Sequence, residues 1–176
     1  MTVQSAGPQA ATVDTRNLLL NYIEQHPGIR YRELLRLTGL VNGVLTYHLA
    51  GLENENMINV ERGRRITRYY PVNVSEKESA ILNFVRHEPI RQIVLFILEH
   101  DMATFNEIVA HIGKAPSTVS SHLKRLKEAG IISVRHGEYY LYRLVERDLV
   151  AEVLSKYKIS FVDRVVDNYT QMLEEL

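Results

Sequence analysis

Between residues 116 and 127 the chain reads Pro-Ser-Thr-Val-Ser-Ser-His-Leu-Lys-Arg-Leu-Lys, with small hydroxyl side chains first and cations after them. On a helix, Val119, Leu123 and Leu126 share one apolar face, and Ser117, Thr118, Ser120, Ser121, Lys124, Arg125 and Lys127 fall around the outer surface. Short hydroxyls at the start allow close approach to phosphates and base edges, and the cations further along neutralise phosphate charge. Ser117 also suits a helix N-cap. A second stretch, Asn42 to Glu53, has the same apolar spacing but no Lys or Arg; its hydrogen-bonding side chains are Asn42, Thr46, Tyr47 and His48. The basic residues of that half lie further on, with Arg62, Arg64, Arg65 and Arg68 around Gly63, while Arg135 precedes Gly137 in the second half. Arginines in a mobile turn can lie across a nucleic-acid backbone or enter a minor groove. All of this is binding chemistry.

Signals for other chemistry are missing. The chain of 176 residues has no cysteine, which removes disulfide scaffolds, thiolate zinc sites, iron–sulfur clusters and thiol redox sensing. No paired carboxylates, Gly-rich phosphate loop or nucleophile elbow is present, so the expectation is a protein that is not an enzyme and has no cofactor. His48 and His122 occupy equivalent positions one residue before a core leucine, but one lies in each half, and the expectation is partly buried imidazoles, hydrogen-bonded locally or touching phosphate, rather than a metal pair. No apolar run approaches the roughly 20 residues a membrane helix needs, and Met1 to Val13 lack a basic stretch followed by an apolar block. A soluble, cytoplasmic, nucleoid-associated protein is expected.

The elements that must position these residues follow from hydrophobic period. Residues 1–13 are uncharged and read as a flexible tail. Leu18, Leu19, Tyr22 and Ile23 predict a helix that His26-Pro27-Gly28 stops; Tyr31 to Leu37 predict a second, which Thr38-Gly39 breaks. Asn42 to Glu55 predict a third, with Leu45, Leu49 and Leu52 inside, and Ile58 to Val72 read as a β-hairpin. This is the order of a winged helix-turn-helix, and it occurs twice. Sliding the chain by 74 residues aligns Glu33–Gly63 with Glu107–Gly137 without a gap, with identities at Glu33/Glu107, Gly39/Gly113, His48/His122, Leu49/Leu123, Leu52/Leu126, Ile58/Ile132, Val60/Val134 and Gly63/Gly137. The predicted fold is mainly α with small β-hairpin wings (α+β). Residues 14–74 form the first winged helix, 75–148 the second with a linking helix, and 149–176 are C-terminal helices.

Extra helix is also predicted over Glu76–His87 and Ile90–His100, broken at Pro89, with Ile81, Leu82, Phe84 and Val85 expected to bridge the two halves. After Val145, Leu149, Val150, Val153, Leu154 and Tyr157 make one stripe, and Val162, Val166, Tyr169, Leu173 and Leu176 recur at alternating spacings of four and three, the seam of a short coiled coil suited to dimerisation. The formal net charge is zero, but residues 14–74 carry two more basic than acidic side chains, residues 75–148 balance, and the C-terminal stretch carries two more acidic ones. Neutrality is thus an average over a polarised chain, which implies modest non-specific affinity for nucleic acid.

Thr118 to Ile132, reading TVSSHLKRLKEAGII, resembles the recognition helix and following strand of ArsR- and MarR-type winged-helix regulators, and Val44 to Ile58, reading VLTYHLAGLENENMI, is a looser copy. Two such copies resemble the tandem winged-helix transcriptional regulators common in archaea, over roughly residues 15–148. The resemblance implies a sequence-specific regulator, repressor or activator, acting as a homodimer on double-stranded promoter DNA. The basal transcription machinery is a further expected partner class, and no membrane is expected. The alternative is a winged-helix protein-interaction subunit of a transcription or chromosome-organisation complex. Two departures stand out: the metal-sensing cysteines of many ArsR-type proteins are absent, and the first recognition helix lacks the usual basic residues.

Overall fold

The computed structural model describes residues 8–63 and 66–157. It divides into two compact units, the first ending at Ser75 and the second beginning at Glu76. In the first, helix α1 (Pro8–Gln25) leads into a two-residue strand β1 (Ile29–Arg30), helices α2 (Tyr31–Thr38) and α3 (Asn42–Asn54), and the hairpin β2 (Ile58–Arg62) and β3 (Thr67–Pro71). In the second, α4 (Glu76–Val85) and α5 (Glu88–His100) precede β4 (Ala103–Thr104), α6 (Phe105–Ile112), α7 (Pro116–Glu128), the hairpin β5 (Ile132–Arg135) and β6 (Leu141–Leu144), and α8 (Arg147–Lys156). From β1 and β4 onward each element of the first unit starts 74 residues before its counterpart, so the sequence repeat is a repeat of structure.

Both sheets have three antiparallel strands with the last hairpin strand in the middle, ordered β1-β3-β2 and β4-β6-β5. The short outer strands pair Ile29 with Tyr69 and Ala103 with Tyr142. They escape sequence reading because two residues cannot display an alternation. Each ties the chain entering the helix-turn-helix to the wing. The tie in the first unit depends on Gly28, whose φ of +79° lets its N–H donate to Tyr69 O at 2.7 Å. A Cβ there would stand 2.9 Å from the Tyr70 ring.

The first core gathers Leu19, Ile23, Ile29, Leu34, Leu45, Leu49, Leu52, Ile58 and Tyr69. Its equivalents Ile108, Val119, Leu123, Leu126 and Ile132 are buried in the second unit. Gly39 and Gly113, at φ +64° and +63°, end α2 and α6 in the left-handed conformation and turn the chain toward the next helix. Capping repeats too: Glu33 accepts from the Arg30 N–H (2.9 Å), and Glu107 accepts from the Thr104 N–H (2.8 Å) and hydroxyl (2.7 Å).

Three sequence expectations are corrected. Helix α1 begins at Pro8, inside the stretch read as a tail, because Pro at a first turn followed by Gln-Ala-Ala is compatible with helix even without charge. The break near Pro89 falls earlier, at Arg86-His87, and Pro89 sits in the first turn of α5, where its missing N–H is no loss. The apolar face of α4 is core of the second unit, packed on α5 and α8, and the α8 stripe of Val150, Val153, Leu154 and Tyr157 is buried in that same unit. The pairs Lys77–Glu146 (2.7 Å) and Lys156–Glu78 (3.0 Å) link α4 to α8 and its entry.

Candidate nucleic-acid interface

Helix α7 buries Val119, Leu123 and Leu126 completely or nearly so, while Ser117, Thr118, Ser120, Ser121, Lys124, Arg125 and Lys127 are exposed. Ser120, Lys124 and Lys127 face the wing. Together with Leu123 of α7 and Val134, His136, Tyr140 and Tyr142 of the hairpin they line a shallow groove of about 270 Å³. Lys124 lies 3.9 Å from Glu128 across a fully solvated surface, a contact too weak to withdraw it from a phosphate. Arg125 behaves differently: its guanidinium lies 5.6 Å from the centre of the Phe84 ring of α4, so it braces α7 against the helix behind it. Arg135 is exposed at the end of β5.

The histidine inside α7 is half-buried. Its Nδ1 finds no hydrogen-bond partner among the described residues, and its ring packs 5.4 Å from that of His87. Burial, the neighbouring His87 and the Arg125 charge together hold the His122 imidazole below its ordinary titration range.

In the first unit Asn42, Thr46 and Tyr47 are exposed on α3, with Tyr47 at 73% and Val41 at 69%. His48 is only 7% exposed and belongs to the packed side of the helix, its ring edge-on to Tyr47 at 5.3 Å. The hairpin arginines are partly committed. Arg62 makes two 2.6 Å bonds to the carboxylate of Glu53, and Arg68 is half-buried with Nη1 donating to Gly28 O at 3.2 Å. Arg64 and Arg65 lie outside the described residues, as do Val162, Val166, Tyr169, Leu173 and Leu176.

Two groups escaped the sequence reading. The wing of the second unit carries Tyr139 and Tyr140, 65% and 57% exposed, with Tyr140 edge-on to His136 at 4.9 Å. Extending the 74-residue alignment two residues past Gly63/Gly137 places Tyr139 opposite Arg65, a signal that was available. Thr104, Phe105 and Asn106 join this wing around a cleft of about 600 Å³. The other is Tyr31, at the start of α2, whose hydroxyl reaches the backbone carbonyl of Asn42 (3.0 Å), the side-chain oxygen of Asn42 and Oγ1 of Thr46 (2.9 Å). No local pattern signals that contact, since it joins residues 11 and 15 apart.

Among the described residues no cluster of three or more His, Asp or Glu side chains could hold a metal ion, and no helix is long and apolar enough to cross a membrane.

A helix-turn-helix followed by a three-stranded wing, present twice, defines a tandem winged-helix protein, an α+β architecture. Residues 88–134 match the family described as bacterial regulatory protein, arsR family, and residues 13–82 match an N-terminal HTH domain family. The chain is 30% identical over 135 residues, 76% of its length, to an uncharacterized HTH-type transcriptional regulator of Methanocaldococcus jannaschii, and it spans about a third (34%) of that relative. Among solved structures it is similar to the transcriptional repressor BigR from Xylella fastidiosa, with a TM-score of 0.42 and 26% identity over 47% of this chain and 85% of that one. It is also similar to a chain of the endosomal complex ESCRT-II, with a TM-score of 0.33 and 13% identity over 77% of this chain and 62% of that one. The chain therefore carries two HTH domains, the second matching the arsR regulatory family, and its curated relative is described as an HTH-type transcriptional regulator.

Proposed function

We propose that this protein is a sequence-specific regulator that binds double-stranded promoter DNA as a homodimer. The observation that carries the reading is helix α7: its apolar side is locked into the second core while Ser117, Thr118, Ser120, Ser121, Lys124 and Lys127 stand on the solvent side beside the wing. A helix so held enters a major groove with its N-terminal hydroxyls toward base edges and its lysines toward phosphates. Tyr140 and Tyr142 of the wing border the groove beside α7, and Arg135 is exposed on that hairpin. In the first unit the corresponding surface is Asn42, Thr46 and Tyr47, and Arg64 and Arg65 follow in sequence between β2 and β3; His48 is excluded by burial. The division at Ser75/Glu76 supports two DNA-binding domains. Because α8 is consumed inside the second unit, dimerisation falls to the seam of Val162, Val166, Tyr169, Leu173 and Leu176. Chromosomal DNA as ligand makes the protein cytoplasmic and nucleoid-associated.

The test is fluorescence anisotropy of the full chain with duplexes from its own upstream region between 50 and 200 mM salt. Salt-sensitive binding to one duplex over a scrambled control is expected; no binding to any duplex overturns the reading. Light scattering of a chain truncated after Lys158 checks the seam, and a truncated chain that stays dimeric moves the interface elsewhere.

A further inference from the structure

The two units are built alike but their groove-facing helices carry opposite chemistry. Helix α7 has three cations and α3 has none. In place of charge α3 has a hydrogen-bonded clamp. The Tyr31 phenol has a single proton, and both oxygens of Asn42 within its reach can only accept, so the phenol donates to Asn42 and the Thr46 hydroxyl donates to the phenol oxygen. The proton count fixes what remains for a ligand. Asn42, with its carbonyl oxygen held by Tyr31, offers its amide N–H groups. Thr46, with its proton spent on Tyr31, offers lone pairs. The γ-methyl of Thr46, exposed on the same face, adds an apolar surface beside this donor and acceptor.

We propose that α3 is a second base-reading element beside α7 and that it selects A·T pairs in the major groove, with Tyr31 as the positioning residue. The inference rests on the DNA-binding reading above and assigns its specificity. An adenine edge presents an acceptor at N7 and a donor at N6, and its thymine partner an acceptor and a methyl group. That pattern meets a donor, an acceptor and an apolar contact. A guanine edge presents two acceptors and would leave Thr46 without a donor. In the second unit Phe105, Pro116 and Ser120 replace Tyr31, Asn42 and Thr46 at the 74-residue offset, so no such clamp exists there. The first unit adds this A·T discrimination, and Lys124 and Lys127 of the second supply salt-sensitive affinity.

The experiment selects duplexes from a randomised library with the full-length wild type, Tyr31→Phe, Asn42→Ala and a Lys124→Ala/Lys127→Ala variant. The wild type is expected to enrich a motif with A·T pairs. Tyr31→Phe and Asn42→Ala are expected to lose on the order of tenfold of the preference for A·T over G·C at one position. The double lysine variant is expected to lose affinity for all sequences while keeping the motif. If Tyr31→Phe fails to fold, as far-ultraviolet circular dichroism will reveal, Asn42→Ala at its exposed position carries the same comparison. An unchanged motif in Asn42→Ala and in folded Tyr31→Phe, with DNA binding intact, overturns the inference and assigns α3 to protein contact. A G·C-centred motif that shifts with these variants overturns the A·T assignment alone. Failure of the wild type to enrich any duplex removes the DNA-binding reading, and this inference with it.

Discussion

Arg62 at the end of β2 and Glu53 in the last turn of α3 face each other in a two-bond pair, Nη1 to Oε1 and Nη2 to Oε2, both at 2.6 Å. The guanidinium holds the Glu53 carboxyl below the usual carboxylate range, and the carboxylate holds the arginine above its own. The pair fastens the wing to α3 and removes one arginine from the count of free cations. Glu53→Gln should release Arg62 to phosphate. Duplex affinity at low salt should rise, and the slope of log affinity against log salt should steepen by up to about one. Arg62→Ala should change affinity about twofold or less. A loss much larger than that would place Arg62 on DNA and the ion pair off it.

The lysines of α7 have no comparable restraint. Replacing Lys124 and Lys127 together with alanine should flatten the salt slope by about two and weaken binding to cognate and random duplexes alike. Anisotropy titrations at several salt concentrations give both quantities. A change in base preference without a change in slope would contradict phosphate contact.

Gly28 combines a φ of +79° with a Cβ position 2.9 Å from the ring of Tyr70, itself 2% exposed and therefore unable to retreat. Gly28→Ala should cost about 1–3 kcal/mol in the first unit through backbone strain and steric contact. Urea unfolding should show the first transition shifted and the second unchanged. The alanine equivalent at Gly43, where a Cβ would meet nothing within 4 Å beyond its own helix backbone and chain neighbours, is the control.

The His122 imidazole titrates below its ordinary 6.5 in the folded chain because of burial first, then His87 and Arg125. Below about pH 6.5 the unfolded chain therefore binds more protons than the folded one, and stability falls as the solution is acidified. The melting temperature of the second unit should drop between pH 7 and pH 5, and His122→Gln should make it less dependent on pH over that range. An equal slope in the variant would assign the acid sensitivity to another group.

The duplication was legible because each half repeats the same short-range requirements. Leu45 and Val119, Leu52 and Leu126, and Gly39 and Gly113 answer to helix period and turn geometry, which depend on neighbours a few residues away. The contacts that give each helix its chemistry do not. Whether Arg62 is free, whether Arg125 faces outward, and whether Asn42 is held by Tyr31 depend on which side chains meet across the fold, and nothing in local spacing encodes that meeting. Helix α4 makes the same point: its apolar face was plain in Ile81, Leu82 and Val85, but its partner, α8, lies some seventy residues on.

The amino-acid sequence by itself determined the architecture, two helix-turn-helix units with wings, because burying a face of period 3.6 beside a two-residue alternation admits few arrangements. It also determined where the cations lie along the chain. Tertiary structure alone decided which of those cations are available to a ligand and which polar groups present donors or acceptors. Pairing energies and proton placement are set by distances of about 3 Å between residues distant in the chain. Arg62 on Glu53, Arg125 over Phe84 and Tyr31 on Asn42 are three such decisions.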